Sequence, residues 1–238
     1  MSYHDDALYL WRDTSRHLGG IAYFGPQVVV AADDLRAVDS FAYEARRHAP
    51  ARMFVGTKPV VERLWERVCA WHRAPTLVRE SQPLYALRPE GLALDHTDAV
   101  RPARVEEAEL IIEHSANMIF GELGYDPRSN RVGFANGVRA LIDRGWWWVW
   151  IVENRLRFMC NVGSRTSATA QIQGVWTPPE LRGKGYATRG LASIARRLFE
   201  TNASLSLYVN DFNTSAIALY ERTGFYRVGE FSTYLFAG

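Results

Sequence analysis

The chain has 238 residues, 47% hydrophobic and 23% charged, an ordinary globular balance with length enough for one large core or two smaller ones. Its formal net charge is +2, and its basic residues, nearly all Arg, are scattered without a run of five, which argues against a nucleic-acid-binding tail. The start, MSYHDDALYLWRD, lacks a basic-then-apolar signal pattern, and the longest apolar run, WWWVWIV at 146–152, is too short to span a bilayer. A cytoplasmic protein with neither membrane nor nucleic acid as partner is expected, its Cys69 and Cys160 being buried free thiols.

In chain order, strands are predicted near Ile21 to Phe24 and Val28 to Ala31, then a helix over Leu35 to His48. A strand at Met53 to Val55 and a helix at Val60 to His72 follow, with strands near Leu77 to Arg79 and Leu84 to Leu87. The polar, proline-containing stretch RPEGLALDHTDAVRP, residues 88–102, is the candidate linker. Apolar residues at helical spacing (Val105, Ala108, Ile111, Ile112, Met118, Ile119) then predict a helix over 104–120. Gly121, Gly124 and Pro127 separate it from a second helix over Asn130 to Arg144. Trp146 to Val152, Leu156 to Val162 and Ala168 to Thr177 read as a three-stranded meander. Trp146, Trp148 and Trp150 share one face of the first of these strands and Trp147 takes the other; a packed core is favoured over the floor of an acceptor pocket.

Next, Ala187, Leu191, Ile194, Leu198 and Phe199 lie along one side of a helix that ends near Asn202. Leu205 to Val209 alternates as a strand, the segment NDFNTS opens a helix that Gly224 closes, and two short strands, Tyr226 to Glu230 and Ser232 to Phe236, complete the series. From residue 21 and again from residue 156 the succession is β-β-α-β-α-β-β. Val55 to Trp65 spans ten residues where Val209 to Tyr220 spans eleven. A degenerate internal repeat follows, with an N-terminal domain over 1–92 and a C-terminal domain over 93–238.

The two copies differ at one crossover. TPPELRGKGYATRGL, residues 177–191, places two glycines and two cations in front of a helix. Without a Cβ, Gly183 and Gly185 let successive N–H groups converge, and the helix adds its own free N–H groups and the positive end of its dipole, so the stretch suits an anion, phosphate foremost. The alternative is a glycine-rich connection without a ligand. At the corresponding place the first copy has only AADDLR, with no glycine and two acids that repel phosphate.

Arg182-Gly183-Lys184-Gly185-Tyr186-Ala187 fits the R/Q-x-x-G-x-G/A signature, and N-x-x-A-x-x-L-Y-x-x-x-G-F follows at Asn213, Ala216, Leu219, Tyr220, Gly224 and Phe225. On these motifs residues 100–238 resemble the GNAT superfamily of acetyl-CoA-dependent N-acetyltransferases. The resemblance implies an α/β (α+β) fold with a mixed, mostly antiparallel sheet flanked by helices, preceded here by a smaller, degenerate GNAT-like half. It implies acetyl-CoA as cosubstrate, without a metal. It further implies a bulge that splays the strand ending at Val175-Trp176-Thr177 from its neighbour, the N–H groups there polarising the thioester carbonyl. Leu181, Arg182, Gly183, Lys184, Gly185, Tyr186, Ala187 and Thr188 would hold the pyrophosphate. Asn210 and Asn213 would bind the pantetheine arm, with Ala216 beside it on the last helix.

By the same resemblance Tyr220 stands beside the coenzyme A sulfur, and a phenol that is protonated at neutral pH can serve as general acid; its alternative is a core aromatic. Many relatives carry a basic carboxylate on the strand before the loop, but this strand reads AQIQGVW, and neither Gln171 nor Gln173 can act as a base. Glu122, in the loop FGELGYDP, is the candidate base, acting directly or through water, with a solvated or capping role as its alternative. His114 reads as structural, and no pair of histidines has metal-ligand spacing. The leading expectation is N-acetyl transfer to a primary amine of a small molecule or peptide, in a ternary complex, a homodimer being allowed for. An acyl-CoA-binding regulator without turnover and a Fem-like aminoacyl transferase are the competing readings.

Overall fold

A computed structural model describes residues 7–25, 27–48, 51–94 and 100–236. In chain order its elements are β1 (Ala7–Arg12), β2 (Leu18–Phe24), β3 (Gln27–Ala32), α1 (Leu35–Ala45), β4 (Met53–Thr57), α2 (Lys58–Val68), β5 (Leu77–Leu87) and β6 (Arg101–Pro102). They continue with α3 (Ala108–Leu123), α4 (Arg131–Asp143), β7 (Trp147–Val152), β8 (Arg155–Arg165), β9 (Thr169–Trp176), α5 (Tyr186–Phe199), β10 (Ser204–Tyr208), α6 (Thr214–Thr223) and β11 (Tyr226–Leu235). They pack as two compact units, one of residues 1–84, 208–212 and 228–238, the other of residues 85–207 and 213–227. Packing thus divides the chain between Leu84 and Tyr85 rather than at 92/93, and the first unit takes its last strand from the far end of the chain. Of the candidate linker, residues 95–99 lie outside the described residues.

In the first unit β1, β2 and β3 form an antiparallel meander, β4 joins β3 in parallel, and β11 joins β4 antiparallel from Phe231–Thr57 to Leu235–Met53. Strand β1 is absent from the sequence-based expectation because Ala-Leu-Tyr-Leu-Trp is apolar on both faces, which hides the period of two. Tyr9 and Trp11 turn inward to a core of Phe24, Val28, Val30, Phe41, Phe54, Val61 and Leu64, while Leu8 and Leu10 turn outward. The two short strands expected near residues 77–87 are one strand. Pro83 interrupts its pattern but loses only a donor, and its carbonyl still accepts from Val209 N at 3.2 Å. The last two expected strands likewise merge into β11. Cys69, expected to be buried, lies exposed at the C-terminal cap of α2, beyond that helix's apolar stripe; Cys160 is buried, and both thiols are free.

The second unit holds the predicted meander, β7–β8–β9, with β6 antiparallel on β7 and β10 parallel to β9. Helices α3 and α4 cover one side, packing Ile111, Ile112, Val138 and Ile142 against Trp147, Val149 and Met159. Helix α5 covers the other so closely that a Cβ on Gly190 would lie 2.4 Å from the Phe158 ring. On that side Trp150 meets Tyr186 edge-on at 5.2 Å and carries the Arg189 guanidinium at 4.9 Å, so Trp150 is a packing residue, as Trp147 is on the other side. In chain order β1 to β5 and β7 to β11 therefore repeat the succession β-β-β-α-β-α-β, with mostly antiparallel pairing and flanking helices.

Candidate active site

The site begins with an irregular strand. Asn161 of β8 faces Gln173 of β9, but two residues back along β8, Met159 faces Trp176, three residues on along β9. The extra residue is accommodated at Gly174, whose φ of +60° is left-handed and whose added Cβ would stand 2.6 Å from Asn161 Oδ1, so only glycine fits this bulge. On its other edge β9 pairs with β10 for three partners, Thr169–Ser204 to Gln171–Ser206, and the ladder stops well before Trp176. The bulge and the short ladder leave the end of β9 open.

The chain then passes Pro178 and a short turn, Pro179–Leu181, into the glycine loop. Gly183 and Gly185 take φ of +72° and +80°, and an added Cβ at either would meet nothing within 4 Å, so the loop lies against open space. Gly185 is the N-cap of α5 and supplies no side-chain cap. The helix ladder begins with Arg189 N on Gly185 O at 3.0 Å, which leaves the N–H groups of Tyr186, Ala187 and Thr188 ahead of it. Strand end, loop, α5, α6 and the last turns of α3 together enclose a cleft of about 820 Å³.

Fourteen of the sixteen predicted residues line it: Glu122, Val175, Trp176, Thr177, Leu181, Arg182, Gly183, Gly185, Tyr186, Ala187, Thr188, Asn213, Ala216 and Tyr220. Lys184 does not; its ammonium donates to Glu180 O at 3.1 Å. Nor does Asn210, a buried residue whose Oδ1 accepts from Gln82 Nε2 at 3.0 Å. Asn213 caps α6, accepting from Ala216 N at 3.2 Å and Ser215 Oγ at 3.1 Å. Arg182 reaches Thr177 O at 3.3 Å and lies 4.7 Å over the Trp176 ring. Glu122 belongs to the last turn of α3 and not to a loop, because the helix runs on until Gly124 ends it at φ +73°. Met118, Gly121, Ser215 and Arg222 also line the cleft. Helical spacing carried Met118, one turn before Glu122, but a helix ended at residue 120 left Gly121 as a separator and hid the connection.

Tyr220 is 7% exposed and packs against Tyr85 and Phe225, with ring centroids 6.4 and 6.1 Å away. Burial holds its phenol well above the ordinary value, and the negative charge of Glu122 pushes the same way. Tyr85 donates to Glu221 Oε1 at 3.0 Å, tying β5 to α6 one residue past Tyr220. On β9, Gln173 Nε2 donates to Gln171 Oε1 at 2.9 Å, so the strand presents amides where a carboxylate would serve as base. His114 lies outside the cleft lining, and burial lowers its pKa.

Two buried polar atoms of the cleft residues, Thr177 Oγ1 and Trp176 Nε1, have no partner. With the open positions beside Gly183 and Gly185 and the uncapped start of α5, they fit a bound phosphate-bearing molecule that offers both acceptors and negative charge.

Residues 138–225 match the family model described as Acetyltransferase (GNAT) family. This segment is a GNAT acetyltransferase domain. Residues 8–111 match a second model, described as Domain of unknown function (DUF4081). A search of curated proteins returns no match. Solved structures share the fold of the GNAT domain and of the chain around it. An acetyltransferase of the GNAT family from Colwellia psychrerythraea aligns over 97% of this chain and 85% of its own, at 11% identity and a TM-score of 0.61. A GCN5-related N-acetyltransferase from Kribbella flavida aligns over 93% and 89%, at 16% identity and 0.58. A tandem GNAT protein from the clavulanic acid biosynthesis pathway aligns over 98% and 84%, at 14% identity and 0.54. The match identifies an acyltransferase domain, and the whole cleft lies in the unit that holds most of it.

Proposed function

We propose that the protein transfers an acetyl group from acetyl-CoA to a primary amine of a small molecule or peptide, by direct attack within a ternary complex. The observation that carries this reading is the cleft itself, where an opened strand end, an uncapped helix N-terminus and a buried phenol meet. When bound, acetyl-CoA supplies the activated thioester. The N–H groups of Gly183 through Thr188 and the Arg182 guanidinium hold the pyrophosphate, and Lys184 adds positive charge from outside the lining. Backbone N–H groups at Val175, Trp176 and Thr177 pair with the pantetheine arm and polarise the carbonyl, while Asn213 and Ala216 border the arm at the start of α6.

An ammonium has no lone pair, so the acceptor must react as the neutral amine. Glu122, in the cleft lining, takes its proton directly or through water. Tyr220 Oη donates to the departing sulfur. Its raised pKa does not prevent this, because the burial that disfavours a phenolate disfavours a thiolate beside it as well. Two free thiols suit a reducing, cytoplasmic setting.

A panel of amines monitored by release of free thiol tests the reading. Turnover with at least one amine, dependent on Tyr220, is the expected result. Tight binding of coenzyme A with no turnover on any amine would instead make the protein a binder.

A further inference from the structure

The side of the first unit's sheet that faces away from α1 and α2 carries apolar residues in register. Leu8 stands opposite Tyr23, and Tyr23 opposite Val29; Leu10 stands opposite Ile21, and Ile21 opposite Ala31. Two apolar rows therefore cross β1, β2 and β3. Their exposure is high for aliphatic side chains: 66% for Leu8, 54% for Leu10, 42% for Val29 and 37% for Ile21. The second unit shows what such a face ordinarily has. The equivalent side of β7 and β8, opposite α5, is covered by α3 and α4. Among the described residues no helix covers the first unit's counterpart.

We propose that this face packs against the same face of a second copy of the chain, sheet upon sheet, about a two-fold axis. Area supports that occupant. With Leu18, 36% exposed at the end of β2, the patch amounts to on the order of 400 Å² of apolar surface, within the roughly 300–600 Å² of the largest patch on a protein surface, which is often functional. A standard interface takes about 800 Å² from each partner, of which roughly 60% is apolar, so the patch supplies most of the apolar share. Its chemistry supports a self-match too. The two rows hold no charged residue, and a patch of Leu, Ile and Val needs no complement other than itself, which suits the isologous contact of a two-fold dimer. Facing sheets pack about 10 Å apart with their side chains interdigitated, and alternating leucines on β1 give that contact its ridges.

Sedimentation of the full chain across the micromolar range should show a dimer. Leu10→Glu combined with Val29→Glu sets four carboxylates inside the contact, and the dissociation constant should rise on the order of 100-fold or more. Both positions are exposed, so far-ultraviolet circular dichroism should be unchanged. Should the double variant fail to fold, hydrogen exchange on the unaltered chain decides: amides of residues 7–32 should slow as concentration rises. A chain that stays monomeric throughout overturns the proposal. So does a dimer that the two glutamates leave intact, or one whose formation leaves exchange over residues 7–32 unchanged.

Discussion

The two crossovers that follow β3 and β9 are built on the same succession of elements and differ in every feature that makes a cleft. At the first, Asp34 caps α1 with its own carboxylate, accepting from Arg36 N at 2.8 Å, and Arg36 bridges that carboxylate in turn. At the second, Gly185 caps α5 with no side chain at all. Strands β3 and β4 pair through four partners as far as Val30–Gly56, so tightly that a Cβ on Gly56 would stand 2.6 Å from Val30 O. Strands β9 and β10 pair through three and then part. The β2–β3 ladder is regular from Gly20 to Tyr23, whereas β8–β9 is bulged at Gly174. The fold is therefore common to both halves, and the site consists of three local departures from it.

The largest effect should come from giving the second crossover the acid that the first one has. Gly185→Glu must adopt φ of +80°, which glycine alone takes readily, and it points a carboxylate into the open space where phosphate would sit. Calorimetry should show no coenzyme A binding, and normal binding would place the phosphate site elsewhere. The measurement belongs on the full chain. Cutting at 92/93 would strip β11 and residues 208–212 from the first unit.

The comparison extends to the last helix of each half. Trp65 lies three residues before the end of α2 as Tyr220 lies three before the end of α6, and an indole cannot serve as a general acid. Tyr220→Phe makes the second half equally mute while keeping a ring to pack against Tyr85 and Phe225. Single-turnover rates should fall roughly 10²- to 10⁴-fold with little change in coenzyme A affinity. An unchanged rate would remove Tyr220 from the chemistry. The pH profile sharpens the point. A phenol raised above its usual pKa of about 10 stays protonated through neutral and mildly alkaline pH, so kcat/KM should climb as the acceptor amine loses its proton. A falling limb near neutrality that vanishes in Tyr220→Phe would contradict the shift.

A smaller loss is expected from regularising β9. Gly174→Val puts a branched side chain at φ +60° and into Asn161, which should drive the strand toward the unbulged pairing of β2–β3. On the proposed mechanism, displacing the N–H groups of Val175 to Thr177 by about 1 Å would cost on the order of 10² in kcat/KM. Equal activity would mean that the bulge does not aim them.

The loop, its helix and Tyr220 were legible because they depend on residue type at fixed spacing: glycines where φ is positive, and an amphipathic stripe behind them. The bulge was legible only through the family resemblance, since Gly174 in AQIQGVW reads equally well as a strand glycine. That Asn210 falls outside the cleft lining was not legible, because spacing says nothing of Gln82, more than a hundred residues earlier in the chain, which donates to its Oδ1. The exchange of β11 into the first unit was beyond local pattern altogether. A strand's partner is chosen by topology, and Ser232 and Thr233 pair with Gly56 and Val55 without any sequence signal that names them.

The smallest effect tests which departure excludes the ligand from the first half. Asp34→Gly gives α1 the same cap residue as α5 and removes the negative charge. If the acid alone kept phosphate out, a second coenzyme A site should appear and calorimetric stoichiometry should double. We expect it to stay at one, because β3 and β4 remain paired to within two residues of the end of β3 and no bulge frees that end. The variant should lose only a little stability, since glycine is itself an acceptable N-cap. That loss has a defined pH dependence. The hydrogen bonds from Arg36 hold the Asp34 carboxyl below its ordinary value, so the stabilisation is present above the unfolded carboxylate range and fades as pH falls through the lowered folded value. Melting temperatures of the two proteins should therefore differ by about a degree at neutral pH and converge in acid. A gap that stays constant down to the acid limit would show that the cap's charge contributes nothing, and a doubled stoichiometry would show that charge alone had separated the two halves.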